Sequence, residues 1–178
     1  MSVATIVAAA IWLMLPAYIP NNAAVIFGGG TPVDFGRKLM GDRILGDGKT
    51  FRGAAGGIIA GFVVAAILNF IQGIQGLGFL PAFSPVAMVS MPAGAILGDM
   101  TASFVKRRSG RERGAPFPVV DQLDFVVGAW FLTVIFAYGW FTREFTVPVI
   151  VAVLIITPAL HISTNFIGYH LGFKDEPW

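Results

Sequence analysis

Asp99, Asp121 and Asp124 are the residues of this sequence with the most chemistry to offer. Asp99 lies inside an apolar stretch, about seven residues from its charged end, or roughly 10 Å deep at the helical rise of 1.5 Å per residue. An ionised carboxylate in hydrocarbon needs a cationic partner. A divalent metal ion is one candidate, and the nearby Lys106, Arg107 and Arg108 are others. Ser103 follows Asp99 by four residues and shares its helix face. Asp121 and Asp124 are three apart where the next apolar stretch begins, so they too share a face if the helix has started there. Mg²⁺ takes one or two carboxylates together with substrate phosphates and water. Two of them also have a plainer reading: Asp121 as a helix N-cap, and Asp99 as the partner of Lys106 or Arg107. The three together favour a metal site.

Two basic, glycine-containing stretches flank these acids. Residues 106–113 read Lys-Arg-Arg-Ser-Gly-Arg-Glu-Arg. Lys106 and Arg107 are nearest the aspartates and suit phosphate contact, Arg as a bidentate donor and Lys as a point charge. Arg111 and Arg113 suit anchoring at an anionic membrane surface. Earlier in the chain come Asp34-Phe35-Gly36-Arg37-Lys38 and then Asp47-Gly48-Lys49-Thr50-Phe51-Arg52-Gly53. Glycines beside Lys and Thr can offer backbone N–H groups to phosphate, although the spacing is not that of a P-loop. Pro20-Asn21-Asn22 is expected to break the first apolar stretch, an interruption tolerated where backbone lines a cavity. His161 and Asn165, at helical spacing, fit an interhelical hydrogen bond or a substrate contact.

The elements that must hold these groups are membrane helices. Of 178 residues, 56% are hydrophobic and 12% charged, against roughly 25% charged in soluble domains. Apolar stretches cover residues 3–27, 54–74, 85–105, 123–141 and 147–169. Each is near the ~20 residues that span ~30 Å of hydrocarbon, and none alternates as a strand would. The expected fold is an all-α integral membrane protein, a single embedded domain over 1–178, with five transmembrane helices and two long cytoplasmic loops, 31–52 and 106–122. Absence of cysteine excludes disulfides and thiolate chemistry. The N-terminus lacks a basic n-region and reads as a retained span.

Eleven of the twelve Lys and Arg residues fall in the two long loops and the tail, where Lys174 lies; Arg143 is on the other side. That bias predicts an outside N-terminus and a cytoplasmic C-terminus, with both charged loops in the cytoplasm at the cell membrane. Substrate-binding basic residues would tilt the count the same way.

Taken together, Ser103-Phe104-Val105-Lys106-Arg107, Pro118-Val119-Val120-Asp121-Gln122-Leu123-Asp124, the Asp47-Gly48-Lys49-Thr50 loop and Pro20-Asn21-Asn22 resemble the CTP-dependent phospholipid cytidylyltransferases, most closely their archaeal CDP-archaeol synthase branch. The Lys-Asp pair and His-Gly-Gly usual in bacterial CDP-diacylglycerol synthases are absent. The resemblance covers nearly the whole chain. It implies transfer of a cytidylyl group from CTP to an isoprenoid glycerol ether lipid phosphate in the membrane, releasing pyrophosphate, with no nucleic acid involved. By that reading Asp99, Asp121 and Asp124 hold Mg²⁺ and Lys106 acts with them. Lys106 and Arg107 meet the triphosphate from one side. Asp47, Lys49, Thr50 and Arg52 close from the other, with Ser103, Asn21 and Asn22 also contributing to nucleotide binding. The alternatives are a CDP-diacylglycerol synthase acting on phosphatidic acid, a small transporter, a CDP-alcohol phosphotransferase and a structural membrane protein. A transporter would carry its charges along the spans, and a CDP-alcohol phosphotransferase would need an aspartate cluster that is not found. A structural protein leaves the two charged loops unexplained. Oligomeric state is not legible in the residues.

Overall fold

The structure, a computed structural model, describes residues 2–74, 77–109 and 119–170, with the side chains of 164, 165, 167 and 168 excepted. Arg111, Arg113, Pro118, Lys174 and the Asn165 side chain therefore lie outside the described residues. Five helices follow one another: α1 (Val3–Ile26), α2 (Phe51–Gln72), α3 (Pro85–Arg108), α4 (Val120–Glu144) and α5 (Val147–His170). Between α1 and α2 sits a hairpin of two short strands, β1 (Lys38–Leu39) and β2 (Asp42–Arg43), which the search for alternating patterns missed because two residues carry no period. Among the described residues, α1 to α4 are each long and apolar enough to cross a membrane. Large apolar side chains such as Phe70, Phe131 and Ile155 point outward, as a lipid solvent permits.

Local chemistry sets the helix starts. Ser2, Thr50 and Ser84 accept hydrogen bonds from Thr5 N (3.2 Å), Gly53 N (3.1 Å) and Ala87 N (3.2 Å), respectively. Each satisfies one of the free N–H groups of a first turn. Two boundary expectations are corrected. Lys106, Arg107 and Arg108 form the last turn of α3 and not a loop, because positive side chains are favourable at the carbonyl end of a helix. And α1 runs unbroken through Pro20-Asn21-Asn22 to Ile26. Pro16 and Pro20 are four apart, so the carbonyl of Pro16 loses its usual helix donor. That carbonyl meets Gly61 of α2, where a Cβ would come within 2.6 Å of it.

Close approach of backbones organises the bundle. Gly53, Gly57 and Gly61 recur at every fourth residue of α2 and face α1, the small-residue pattern of membrane helix pairs. Gly94 and Gly98 on α3 do the same against Gly128 on α4: a Cβ on Gly128 would lie 2.6 Å from Gly98 Cα. The core between these crossings contains Leu13, Met14, Met91 and Val126, all fully buried. Polar ties across it include Ser90 with Thr133 (3.2 Å, α3 to α4) and Tyr18 with Thr157 (2.8 Å, α1 to α5). At the end of the bundle remote from the aspartates, Trp12 and Trp140 donate to the carbonyls of Pro81 and Ala82 at 2.9 and 2.7 Å. Asn69 there exchanges two bonds with Phe83. These contacts pin the short uncharged connection between α2 and α3. The helix of α4 is interrupted at Ala137, with φ −135° and ψ 41°.

Candidate active site

Two helices bring the aspartates to one place. Asp99 of α3 and Asp121 and Asp124 of α4 line a single cavity of about 430 Å³, together with Lys106 and, from α1, Asn21 and Asn22. Its floor is more apolar, with Tyr18, Phe125 and Leu160, and it also includes Thr157 and His161 of α5. The crossing of α3 and α4 is what makes the convergence possible. Gly98, next to Asp99, packs directly on the backbone carbonyl of Asp124, so the two carboxylates are held on adjoining turns.

Each acid has a defined neighbour. Lys49, from the loop before α2, forms an ion pair with Asp99, and Lys106 forms one with Asp121. The side chains of both pairs are about one quarter exposed. Asp124 accepts a hydrogen bond from Phe125 N at 2.6 Å. In the plainer reading of Asp99 the partner is thus neither Lys106 nor Arg107 but a lysine fifty residues earlier. Asp121 is not an N-cap either: it sits in the first turn of α4, whose cap position is Val119. Among the described residues, no three acidic or histidine side chains are gathered as closely as a bound metal ion requires. The set nevertheless fits a hard divalent cation by chemistry and by place: three carboxylates face one cavity, two of them turned onto lysines that a phosphate could take over.

The loop before α2 is a built structure. Its ends are stitched together by Val33 N to Lys49 O (2.8 Å) and Phe51 N to Thr31 O (3.1 Å). Met40 and Gly41, at φ 53° and 93°, make the two-residue left-handed turn that hairpins prefer. At its centre the buried Asp34 takes a two-pronged bond from Arg43 (2.7 and 3.3 Å) and three backbone N–H groups, from Gly36, Leu45 and Gly46. Asp34 was read only as part of a phosphate-binding stretch; its role here is architectural. The guanidinium of Arg43 holds the Asp34 carboxyl well below the usual carboxylate range, and the three N–H groups act in the same direction against the opposing effect of burial. A depressed folded-state pKa stabilises the loop at and above neutral pH, and that contribution drains away as the medium falls below about pH 4. Arg43→Gln should accordingly open the loop at neutral pH. Limited proteolysis between residues 34 and 49 should then run several-fold faster, while helix content measured by circular dichroism stays unchanged.

Arg108, in the last turn of α3, donates to the carbonyls of Leu39 and Arg43 and so clamps both hairpin strands onto the helix. Arg107 beside it faces Gly46, whose φ of 102° suits glycine alone, and lines a second cavity of about 330 Å³ with Ser103, Arg43, Asp47, Gly48 and Lys49. A third, of about 240 Å³, borders both, sharing Lys49 and Gly48 with the second and Asn21, Asn22 and Asp99 with the first. Of the residues singled out in the sequence, then, Asp99, Asp121, Asp124, Lys106, Asn21 and Asn22 share the first cavity. Asp47, Lys49, Ser103 and Arg107 share the second. Thr50 lines the third, while its hydroxyl caps α2. Arg52 is set apart: it donates to the carbonyls of Phe27 and Gly28 at the end of α1. Tyr18 and Thr157 were overlooked. Their contact leaves no local pattern, since 139 positions separate them.

Comparison with known proteins agrees over the whole chain. The family model described as CarS-like CDP-archaeol synthase matches residues 3–178. A CDP-archaeol synthase of Halobacterium salinarum (strain R1) is 57% identical over 175 residues, covering 97% of each chain. One of Natronomonas pharaonis is 53% identical and covers 99% of this chain and 100% of its own. A solved structure described as "Structural insight into an intramembrane enzyme for archaeal membrane lipids biosynthesis" superposes with a TM-score of 0.71 at 41% identity, over 88% of this chain and 92% of that one. The molecule is a multi-pass membrane protein, and with its match at full length it belongs to the CDP-archaeol synthase family.

Proposed function

We propose that this chain transfers the cytidylyl group of CTP to an isoprenoid glycerol ether lipid phosphate, giving a CDP-archaeol-type lipid and pyrophosphate. The observation that carries the reading is the meeting of three aspartates and two lysines around neighbouring cavities in a chain of this family. A phosphate oxygen of the lipid attacks the α-phosphorus of CTP, and pyrophosphate leaves with the electron pair of the broken P–O bond. The acceptor is already an anionic nucleophile, so no covalent enzyme intermediate is needed. Catalysis is then a matter of positioning and charge stabilisation. Lys49 and Arg107 would hold the triphosphate at the loop side, a reading supported by their sharing a cavity with Ser103 and the Gly46–Gly48 backbone. Lys106 lines the aspartate cavity from α3. Asp99, Asp121 and Asp124 would hold Mg²⁺, which when bound neutralises phosphate charge at the reacting phosphorus. The apolar floor near Phe125 and Leu160 suits the start of an isoprenoid chain.

The same reading has α5 as a fifth span, the whole chain as one domain, the N-terminus outside and the site at the cytoplasmic face. Clustering of the charges at one end of the bundle favours it over a transporter. It is tested by reconstituting the purified chain with CTP, Mg²⁺ and either ether-linked or ester-linked lipid phosphate and following pyrophosphate release. The expected result is release that requires both CTP and Mg²⁺ and is faster with the ether lipid. Release that is indifferent to either would refute it.

A further inference from the structure

The loop between α1 and α2 turns bulky apolar side chains outward at two places where the backbone disfavours them. Phe35 and Met40 have φ of 50° and 53°, a region that bulky residues rarely enter. Both are exposed, Met40 at 90%. Asn, Asp or Gly would serve the turn at position 40 better, so the turn itself does not call for a methionine. Position supplies the account. α2 is 22 residues long, or ~33 Å at 1.5 Å per residue, against ~30 Å of hydrocarbon. Its first residue, Phe51, therefore lies at the boundary of the bilayer. Phe51, Ala55, Ile59, Val63 and Ile67 recur every fourth residue and are all exposed, a stripe opposite the buried glycines of α2. Phe35 lays its ring 5.4 Å from that of Phe51 and extends the stripe by one aromatic. The hairpin tip meets the outer face of α3 in the same way. Arg108 holds the Leu39 carbonyl while its guanidinium rests 5.5 Å over the exposed Phe104 ring. Arg37 and Lys38 stand beside these apolar groups, exposed and, among the described residues, in no ion pair. Arg43 is held by Asp34 and Asp47; of the other charges at the tip, Arg37 and Lys38 outnumber Asp42.

We propose that residues 35–40 are a foot on the bilayer surface. Phe35, Leu39 and Met40 dip into the boundary between headgroups and acyl chains, and Arg37 and Lys38 contact the phosphates of anionic lipids. An interfacial segment needs both kinds of group, apolar ones for depth and basic ones for attraction to an anionic leaflet. The left-handed residues are then explained by what they present and not by the turn they make. Because the same loop carries Lys49, which pairs with Asp99, the contact also registers the aspartate cavity against the membrane. The inference requires α2 to span the bilayer and does not depend on the cytidylyl-transfer reading.

The chain has no cysteine, so Met40→Cys gives a single attachment point for an environment-sensitive nitrobenzoxadiazole label. The labelled protein is placed in vesicles of phosphatidylcholine with an equal part of phosphatidylglycerol, and nitroxide-bearing phosphatidylcholine serves as quencher. Ile59→Cys, about 12 Å further along the α2 stripe from Phe51, marks mid-membrane depth. With the nitroxide close to the headgroup, the label at position 40 should lose most of its emission. With the nitroxide near the end of the acyl chain it should lose little, the reverse of the label at position 59. In phosphatidylcholine alone, or with Arg37→Gln and Lys38→Gln added, quenching at position 40 should fall several-fold. Quenching indifferent to both changes would report the label's own affinity for lipid and would overturn the proposal. So would a label that stays unquenched, including one that responds to CTP instead, as a cover over the nucleotide would.

Discussion

Asp124→Asn should lower kcat by about 10²–10³-fold while the melting temperature in detergent stays within a few degrees of wild type. The asymmetry among the three acids is what makes this variant decisive. Asp99 and Asp121 each pair with a lysine, so converting either to an amide strands a positive charge and confounds chemistry with folding. Among the described residues no ion pair joins Asp124 to a cation, and asparagine keeps its shape and can still accept from Phe125 N. Loss of turnover with retained folding therefore isolates its part in the reaction. Asp99→Asn and Asp121→Asn should lose as much activity and also melt lower. Removal of divalent ions with a chelator should reproduce the Asp124→Asn phenotype, with activity restored by Mg²⁺. Full turnover of Asp124→Asn, or of the wild-type chain in excess chelator, would refute the metal assignment.

Gly98→Ala should be severely disruptive for the addition of a single methyl group. The new Cβ would overlap the carbonyl of Asp124, reach 3.0 Å from its carbon and 3.1 Å from Gly128 Cα. All three are backbone atoms, so no side chain can swing aside. Overpacking of this kind costs about 1–3 kcal/mol or more, and here the only relief is separation of α3 from α4. Because the same crossing sets Asp99 against Asp124, activity should collapse together with stability. Gly139→Ala in α4 is the control: nothing lies within 4 Å of the added Cβ. It should leave activity intact and raise stability by about 0.5–1 kcal/mol, the intrinsic advantage of Ala over Gly in a helix. Thermal melts and turnover of the two variants, measured side by side, decide the point. A Gly98→Ala protein that melts and turns over like wild type would mean the α3–α4 crossing is not as tight as described.

The helices were legible because a run of twenty apolar residues has few other fates in a bilayer. Their ends were less so. Hydropathy places Lys106–Arg108 outside α3, whereas the helix carbonyls at its end favour those charges. Pro20 reads as a break when taken alone; with Pro16 one turn earlier and a glycine opposite, the helix goes through. Clustering of charge brought Asp99, Asp121, Asp124 and Lys106 into one candidate site, and they do share a cavity. The pairing of Lys49 with Asp99 was out of reach, because contact across fifty positions leaves no local pattern. Asp34 and Arg52 show the converse. Both lie in a stretch that looks made for phosphate, yet one secures Arg43 and the other fastens the end of α1. A chain of this charge density uses some of its polar groups simply to shape the loop that carries the others.

The two lysine–aspartate pairs also bear on how such a protein is made. Two of the three pocket carboxylates meet their counter-charge within the polypeptide itself, so the bundle can enter the bilayer and assemble before any ion or nucleotide arrives. Folding those two carboxylates into the bundle therefore calls for no counter-charge from outside the chain.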